Sequence, residues 1–317
     1  MSIYCLAATY DLRVDAYDLS TGNLKSTFQI DYTQANRIIV NDKSFYVAGF
    51  SYIYVYDIHS SKPIQRLKSH ENNVTDLIFN NKNNTYLTSG EDKKVKMWDS
   101  RIYQSEKCIV QVTDQEAINA VNYTEDGNKF FYGNEQGDIF LYDYRSPAKP
   151  TLSIPAGCPF PGPNKDNNNS ICTIHSPVRS ISATSDHKNF IITLMNGDVI
   201  SCFLNEIFHF EEKYRIHAFN DTTIRSAISP DNQLFATTSI NNTAKIFSLE
   251  DGSLKHNLIG SEDNEWVWDV AFTPDSKNIC TGGTDEVIRV WDVDYGSMTS
   301  KIGPLKKTIT ALAIITQ

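Results

Sequence analysis

Seven histidines (His59, His70, His175, His187, His209, His217 and His256) and six cysteines (Cys5, Cys108, Cys158, Cys172, Cys202 and Cys280) could ligate a metal or carry a nucleophile. The adjacent acids Glu211-Glu212 and Glu262-Asp263 could pass a proton. Each of these chemistries needs a second group at a set spacing. Metal sites need paired cysteines or histidines, and a nucleophile needs a base within hydrogen-bond reach. A phosphate cradle needs a glycine-rich turn opening a helix. The chain has no CxxC, HExxH, GxSxG or Walker-type run. Its histidines are isolated, and its acidic pairs fall in segments that read as solvated surface. The expectation is a protein that is not an enzyme and holds no metal and no cofactor.

Composition narrows the remaining classes. Of 317 residues, 40% are hydrophobic and 21% charged, as in a globular chain. Sixteen tyrosines and sixteen phenylalanines favour strands. A formal net charge of −9 argues against nucleic acid as partner, because phosphate binding needs a basic surface. No run approaches the ~20 apolar residues of a membrane span, and Met1-Ser2-Ile3-Tyr4 opens no signal peptide. The cysteines then read as reduced thiols, and the expected location is the cytoplasm, with any membrane association supplied by partners.

The elements that must position a functional surface emerge from a repeat. Thr88-Ser89-Gly90-Glu91-Asp92, leading to Trp98-Asp99, returns as Thr281-Gly282-Gly283-Thr284-Asp285, leading to Trp291-Asp292. The same closing position recurs at Tyr17-Asp18, Tyr56-Asp57, Tyr142-Asp143, Phe203-Leu204 and Phe247-Ser248. Successive intervals are 39, 42, 44, 61, 44 and 44 residues, which predicts seven units. Each unit opens with one strand template: Ala35/Ile38/Val40, Val74/Leu77/Phe79, Ile118/Val121/Tyr123, Val178/Ile181/Ala183, Ile224/Ala227/Ser229, Val267/Val270/Phe272 and Ile309/Leu312/Ile314. The last template has nothing after it, whereas the N-terminus begins with a second strand (Ile3–Thr9). Joined, the two ends complete one unit and leave few open sheet edges. The long interval marks an insertion, Pro155 to His175, rich in Pro and Asn, which reads as an irregular loop.

These residues resemble the WD-repeat family over essentially the whole chain. The resemblance implies an all-β fold, a seven-bladed β-propeller spanning residues 1–317 and closed by pairing the C-terminal strand with N-terminal strands. His70, Thr88, Asp92 and Trp98 stand where that family builds a buried hydrogen-bond network, and they are expected to hold the blade together.

The template also sets a register. Residues flanking its first apolar position must turn away from the core, towards the rim of the central channel. They are Thr308 and Thr310, Gln34 and Asn36, Asn73 and Thr75, Ala117 and Asn119, Pro177 and Arg179, Thr223 and Arg225, then Trp266 and Trp268. The tryptophans stand out among small and polar residues, and Trp is a favoured interface anchor.

Glu265-Trp266-Val267-Trp268-Asp269-Val270-Ala271-Phe272 and Asp31-Tyr32-Thr33-Gln34-Ala35-Asn36 further resemble the G-protein-beta-like WD-repeat subunit of the TOR (target of rapamycin) kinase complexes. That resemblance implies a non-catalytic scaffold that docks on and stabilises the kinase domain of a TOR-type kinase, with Gln34, Asn36, Trp266 and Trp268 on the partner-binding surface. No homo-oligomer is expected. A rival reading is a substrate receptor of a cullin-type ubiquitin ligase, suggested by Trp98-Asp99-Ser100-Arg101 and Tyr142-Asp143-Tyr144-Arg145. A generic WD-repeat assembly scaffold is another.

Overall fold

The computed structural model describes residues 2–31, 34–60, 62–102, 107–145, 152–155, 176–205, 210–260 and 265–316. Every regular element among them is a strand. Short runs of alternating burial separated by turns leave one apolar face per strand to bury, and antiparallel sheets stacked around an axis bury it. The innermost strands Ile309–Thr316, Ala35–Asn41, Pro63–Asn80, Ile118–Tyr123, Val178–Ala183, Thr223–Ile228 and Val267–Phe272 contact one another in that order and close a ring.

The termini meet as expected. Ile309–Thr316 pairs antiparallel with Ile3–Thr9, from Ile3 opposite Thr316 to Thr9 opposite Ile309. The sheet continues outward through Arg13–Asp18 and Leu24–Gln29.

The expected count of seven blades is corrected to six. The described residues form six hydrogen-bonded sheets, five of four strands and one of six. Ser44–Asp57, which ends on the closing pair Tyr56-Asp57, is one continuous strand of 14 residues. Ser51 makes the bend at φ 61, and Phe50 pairs with Asn73 across a register shift that falls between Phe50 and Tyr52. Pro63–Asn80 likewise runs unbroken for 18 residues, from the outer strand of one expected unit into the inner strand of the next. The second and third expected units therefore share one sheet. Of the expected insertion, only Pro155 lies within the described residues, at the end of the strand Leu152–Pro155.

The core lies between adjacent sheets. Phe28 and Phe45, from neighbouring sheets, meet edge to face at 4.8 Å between ring centres, and Tyr56 stacks on Phe45 at 5.2 Å. Such pairs add about 0.5–1.5 kcal/mol each beyond area burial. Cys5, Cys108, Cys202 and Cys280 are free thiols, three of them fully buried.

Candidate functional site

A β-bulge inserts an extra residue that leaves the ladder and re-aims its side chain. The inner strands use this device all round the ring. Pairing skips Asn36 between Ala35 and Arg37, Thr75 between Val74 and Asp76, and Asn119 between Ile118 and Ala120. It skips Arg179, Trp268 and Thr310 in the same way. In Thr223–Ile228 it skips two residues, Ile224 and Arg225. Every skipped residue lines one cavity of about 560 Å³ at the mouth of the channel.

Of the flanking positions expected there, Gln34, Asn73, Trp266 and Thr308 also line the cavity, whereas Ala117, Pro177 and Thr223 do not. Thr223 is fully buried and donates to the Leu194 carbonyl at 2.5 Å. Ile224, expected as the strand's first core residue, is buried at 7% exposure, and the double bulge also sets it against the cavity wall. Tyr10 is not among the rim positions that the strand register gives. It follows Ile3–Thr9 in a tight turn, donates its amide to the Thr308 carbonyl at 3.0 Å and stands 59% exposed on the cavity rim. An aromatic in a turn beside Asp11 was the available signal.

The expected partner-binding residues come together here. Trp266 is 42% exposed and meets half-buried Trp268 edge to face, 5.3 Å between ring centres. The Trp266 backbone is held on both sides: its amide donates to Thr284 Oγ1 at 2.8 Å, and its carbonyl accepts the Thr284 amide at 3.0 Å. The Thr284 hydroxyl in turn donates to Glu265. Asn36 donates from Nδ2 to the Val74 carbonyl at 3.0 Å, fixing its side chain on the next inner strand. Gln34 lies half-buried on the same wall.

Gly283 makes the Trp266 position possible. A Cβ on it would stand 1.8 Å from the Trp266 carbonyl oxygen. Gly283→Ala is expected to push this strand entry outward and to cost about 1–3 kcal/mol, as overpacking does. The check is a lower denaturation midpoint together with a shift in tryptophan emission.

Below the cavity lies a charged floor. Arg37, Asp76 and Asp269 each sit two positions after the first template residue of their strands. Arg37 Nε is 3.2 Å from Asp76 Oδ1, and its Nη1 is 4.0 Å from Asp269 Oδ1. Arg225 reaches from Thr223–Ile228, placing Nη1 3.8 Å from Asp76 Oδ1 and donating from Nη2 to the Asn36 carbonyl at 3.2 Å. The two aspartates also tie sheets and strands together. Asp76 accepts amides from Leu77 and Val121, and Asp269 from Val270 and Leu312. Burial, and Arg37 beside it, hold the Arg225 guanidinium below its ordinary range, while Asp269 and Asp76 pull the other way. It stays charged regardless.

The expected network is assembled away from this surface. His70 Nδ1 lies 2.8 Å from Asp92 Oδ1 and Nε2 lies 2.7 Å from Thr88 Oγ1, while Trp98 Nε1 donates to the same hydroxyl at 3.0 Å. An ionised Asp92 can only accept, which puts a proton on Nδ1; burial favours the neutral ring, whose Nε2 then accepts from the Thr88 hydroxyl. The counterpart in the last sheet keeps only Trp291 Nε1 to Thr281 Oγ1, at 2.9 Å.

Burial holds His70 below its ordinary value of 6.5, against the opposing pull of Asp92. For Asp92 burial acts upward, but the bond from His70 and the Glu71 amide carry it below 3.8. The unfolded chain accepts protons that the folded one refuses, so stability is complete above pH 6.5 and falls as pH drops through and below it. Half-buried His187, also lowered by burial, adds the same sign. His70→Gln is expected to flatten this acid slope, read as denaturation midpoint against pH.

The arginines behind the ubiquitin-ligase reading are used locally. Arg101 forks onto Asp99 (2.9 and 2.6 Å) and Arg145 onto Asp143 (3.0 and 2.7 Å). The Arg101 fork pulls Asp99 down to about 2. Among the described residues no cluster of His, Cys, Asp and Glu is placed to hold a metal.

Comparison with known proteins agrees with this architecture. The family model described as "WD domain, G-beta repeat" matches residues 61–99 and 252–292. "Protein LST8 homolog" of Drosophila melanogaster is 28% identical over 269 residues, covering 83% of this chain and 80% of that protein. "Target of rapamycin complex subunit LST8" of Mus musculus is 26% identical over 318 residues, 96% of this chain and 93% of that protein. The Saccharomyces cerevisiae protein of the same name is 34% identical over 105 residues, 32% of this chain and 35% of that one.

Proposed function

We propose that this chain, a WD-repeat protein that resembles the LST8 subunit of target of rapamycin complexes, is a non-catalytic subunit of a complex of that kind. Its channel-mouth face, with Gln34, Asn36, Trp266 and Trp268, docks on the kinase domain. The observation that carries this reading is the exposed Trp266 ring, held by a doubly bonded backbone over Trp268 on the wall of an open cavity. Large aromatic anchors whose geometry is set before binding lose little entropy on docking and concentrate binding energy. Tyr10 extends the aromatic surface to the terminus-closed sheet.

The mechanism is passive. A ring of sheets cross-linked through Asp76 and Asp269 offers a rigid surface, and a kinase lobe seated on it loses conformational freedom without any chemistry from this chain. Work in the cytoplasm, with membrane recruitment left to other subunits, belongs to the same proposal.

The test is affinity purification of the tagged chain from its own cells, beside the Trp266→Ala/Trp268→Ala variant, with mass spectrometry of what is recovered. The expected result is a very large TOR-type kinase with the unaltered chain and its loss with a folded variant. Recovery of a ligase adaptor or an unrelated assembly, with no kinase, would overturn the assignment.

A further inference from the structure

We infer that the channel mouth receives a carboxylate: an Asp or Glu side chain of the docked protein enters the cavity and pairs with Arg179, with Arg225 behind it. This rests on the proposed docking of that face, and it adds the chemistry that the cavity selects.

The inference starts from which charged groups already have partners. Arg37, Arg179 and Arg225 bring three guanidinium groups to the cavity and its floor, where Asp76 and Asp269 supply two carboxylates and Glu91, which accepts from Asn73 Nδ2 at 3.0 Å, a third. Those carboxylates are already committed. Asp76 holds two backbone amides and two guanidiniums, and Asp269 holds two amides and Arg37. Arg179 lines the cavity half-buried, and among the described residues it has neither an acid nor a hydrogen-bond acceptor. Arg225 Nε is buried without an acceptor. Of the three guanidiniums, Arg179 is the one without an acid among the described residues, and it lines the cavity.

That one unpartnered guanidinium selects the ligand. A single unpaired guanidinium matches one carboxylate, and the guanidinium fork fits a carboxylate's two oxygens. Glu91 on the cavity wall and the formal charge of −9 repel a multiply charged phosphate more strongly than a single carboxylate. Trp266, Trp268 and Tyr10 supply flat apolar faces against which the methylene stem of an acidic side chain can lie. The bulge at Arg179 fixes where the guanidinium enters the cavity.

Two measurements on the full chain test this. The first is arginine side-chain NMR during titration with N-acetylglutamate α-amide, which carries one carboxylate, beside N-acetylglutamine α-amide and inorganic phosphate. The expected result is a saturable shift of the Arg179 Nε–H resonance with the acid alone, lost in Arg179→Gln. No shift with any probe, or saturation by phosphate with none by the acid, would overturn the inference.

The second measurement is capture of the kinase by the unaltered chain, Arg179→Gln and Arg179→Lys, each first shown to melt at the same temperature. Loss of a desolvated charge pair predicts roughly 30-fold weaker capture by Arg179→Gln, less salt dependence, and partial rescue by Lys. Equal capture by all three at every salt concentration overturns the carboxylate and leaves the docking proposal standing. If the unaltered chain captures no kinase yet shifts with the acid, the docking proposal fails and the carboxylate site remains.

Discussion

Asp76→Ala is expected to lower the folding stability of the chain by about 3–5 kcal/mol, the usual cost of removing one partner from a buried charge cluster. The Asp76 side chain is 5% exposed and has four partners. Without it, Arg37 keeps only Asp269, at 4.0 Å. Arg225, with a side chain 13% exposed, loses its nearest acid, and the amides of Leu77 and Val121 lose their acceptors. A buried donor left without a partner costs about 1–3 kcal/mol. The check is the midpoint of chemical denaturation for Asp76→Ala, Arg225→Leu and the double variant. Because much of the loss comes from the orphaned guanidinium, the double variant is expected to recover part of it. A double variant losing the full sum of the single effects would mean that the two groups are not coupled.

The same cluster marks where sequence reading stops. Closure by the two termini was legible, because an unfinished template at Ile309–Ile314 and an orphan second strand at Ile3–Thr9 complete each other. The number of sheets was not. Gly49-Phe50-Ser51 has the composition of a turn, and only the backbone shows that Ser51 bends at positive φ while Phe50 stays paired with Asn73.

For the cavity, alternation chose Asn36, Thr75, Asn119, Arg179 and Trp268 correctly, although their direction comes from bulges that alternation does not contain. Where the bulge doubles, at Ile224-Arg225, the same rule misplaced Thr223. The floor went unread because Arg37, Asp76, Arg225 and Asp269 are far apart in the chain. Laying the templates over one another would have shown Arg37, Asp76 and Asp269 at one register position, a charge ring around an axis.

The Trp266→Ala/Trp268→Ala variant is expected to weaken capture of the proposed kinase partner by at least about 30-fold, the effect of losing one strong interface anchor. The two rings touch, so their losses will not add. Folding should change much less than binding. Trp266 is 42% exposed, and the contact it makes with Trp268 accounts for about 0.5–1.5 kcal/mol. Trp266→Ala alone separates the two effects, since the strand entry is held through its backbone by Thr284 rather than through its ring. Faster dissociation with only a slightly lowered denaturation midpoint is the expected pattern, because most of the contacts the substitution removes are made in the complex. Association should hardly change, since neither ring carries charge. Kinase capture at full strength by the folded double variant would move the docking surface elsewhere on the ring; a collapse of the midpoint would instead mean that the rings plug the channel for stability. The first outcome removes the role of Gln34, Asn36, Trp266 and Trp268, and the second makes them part of the core.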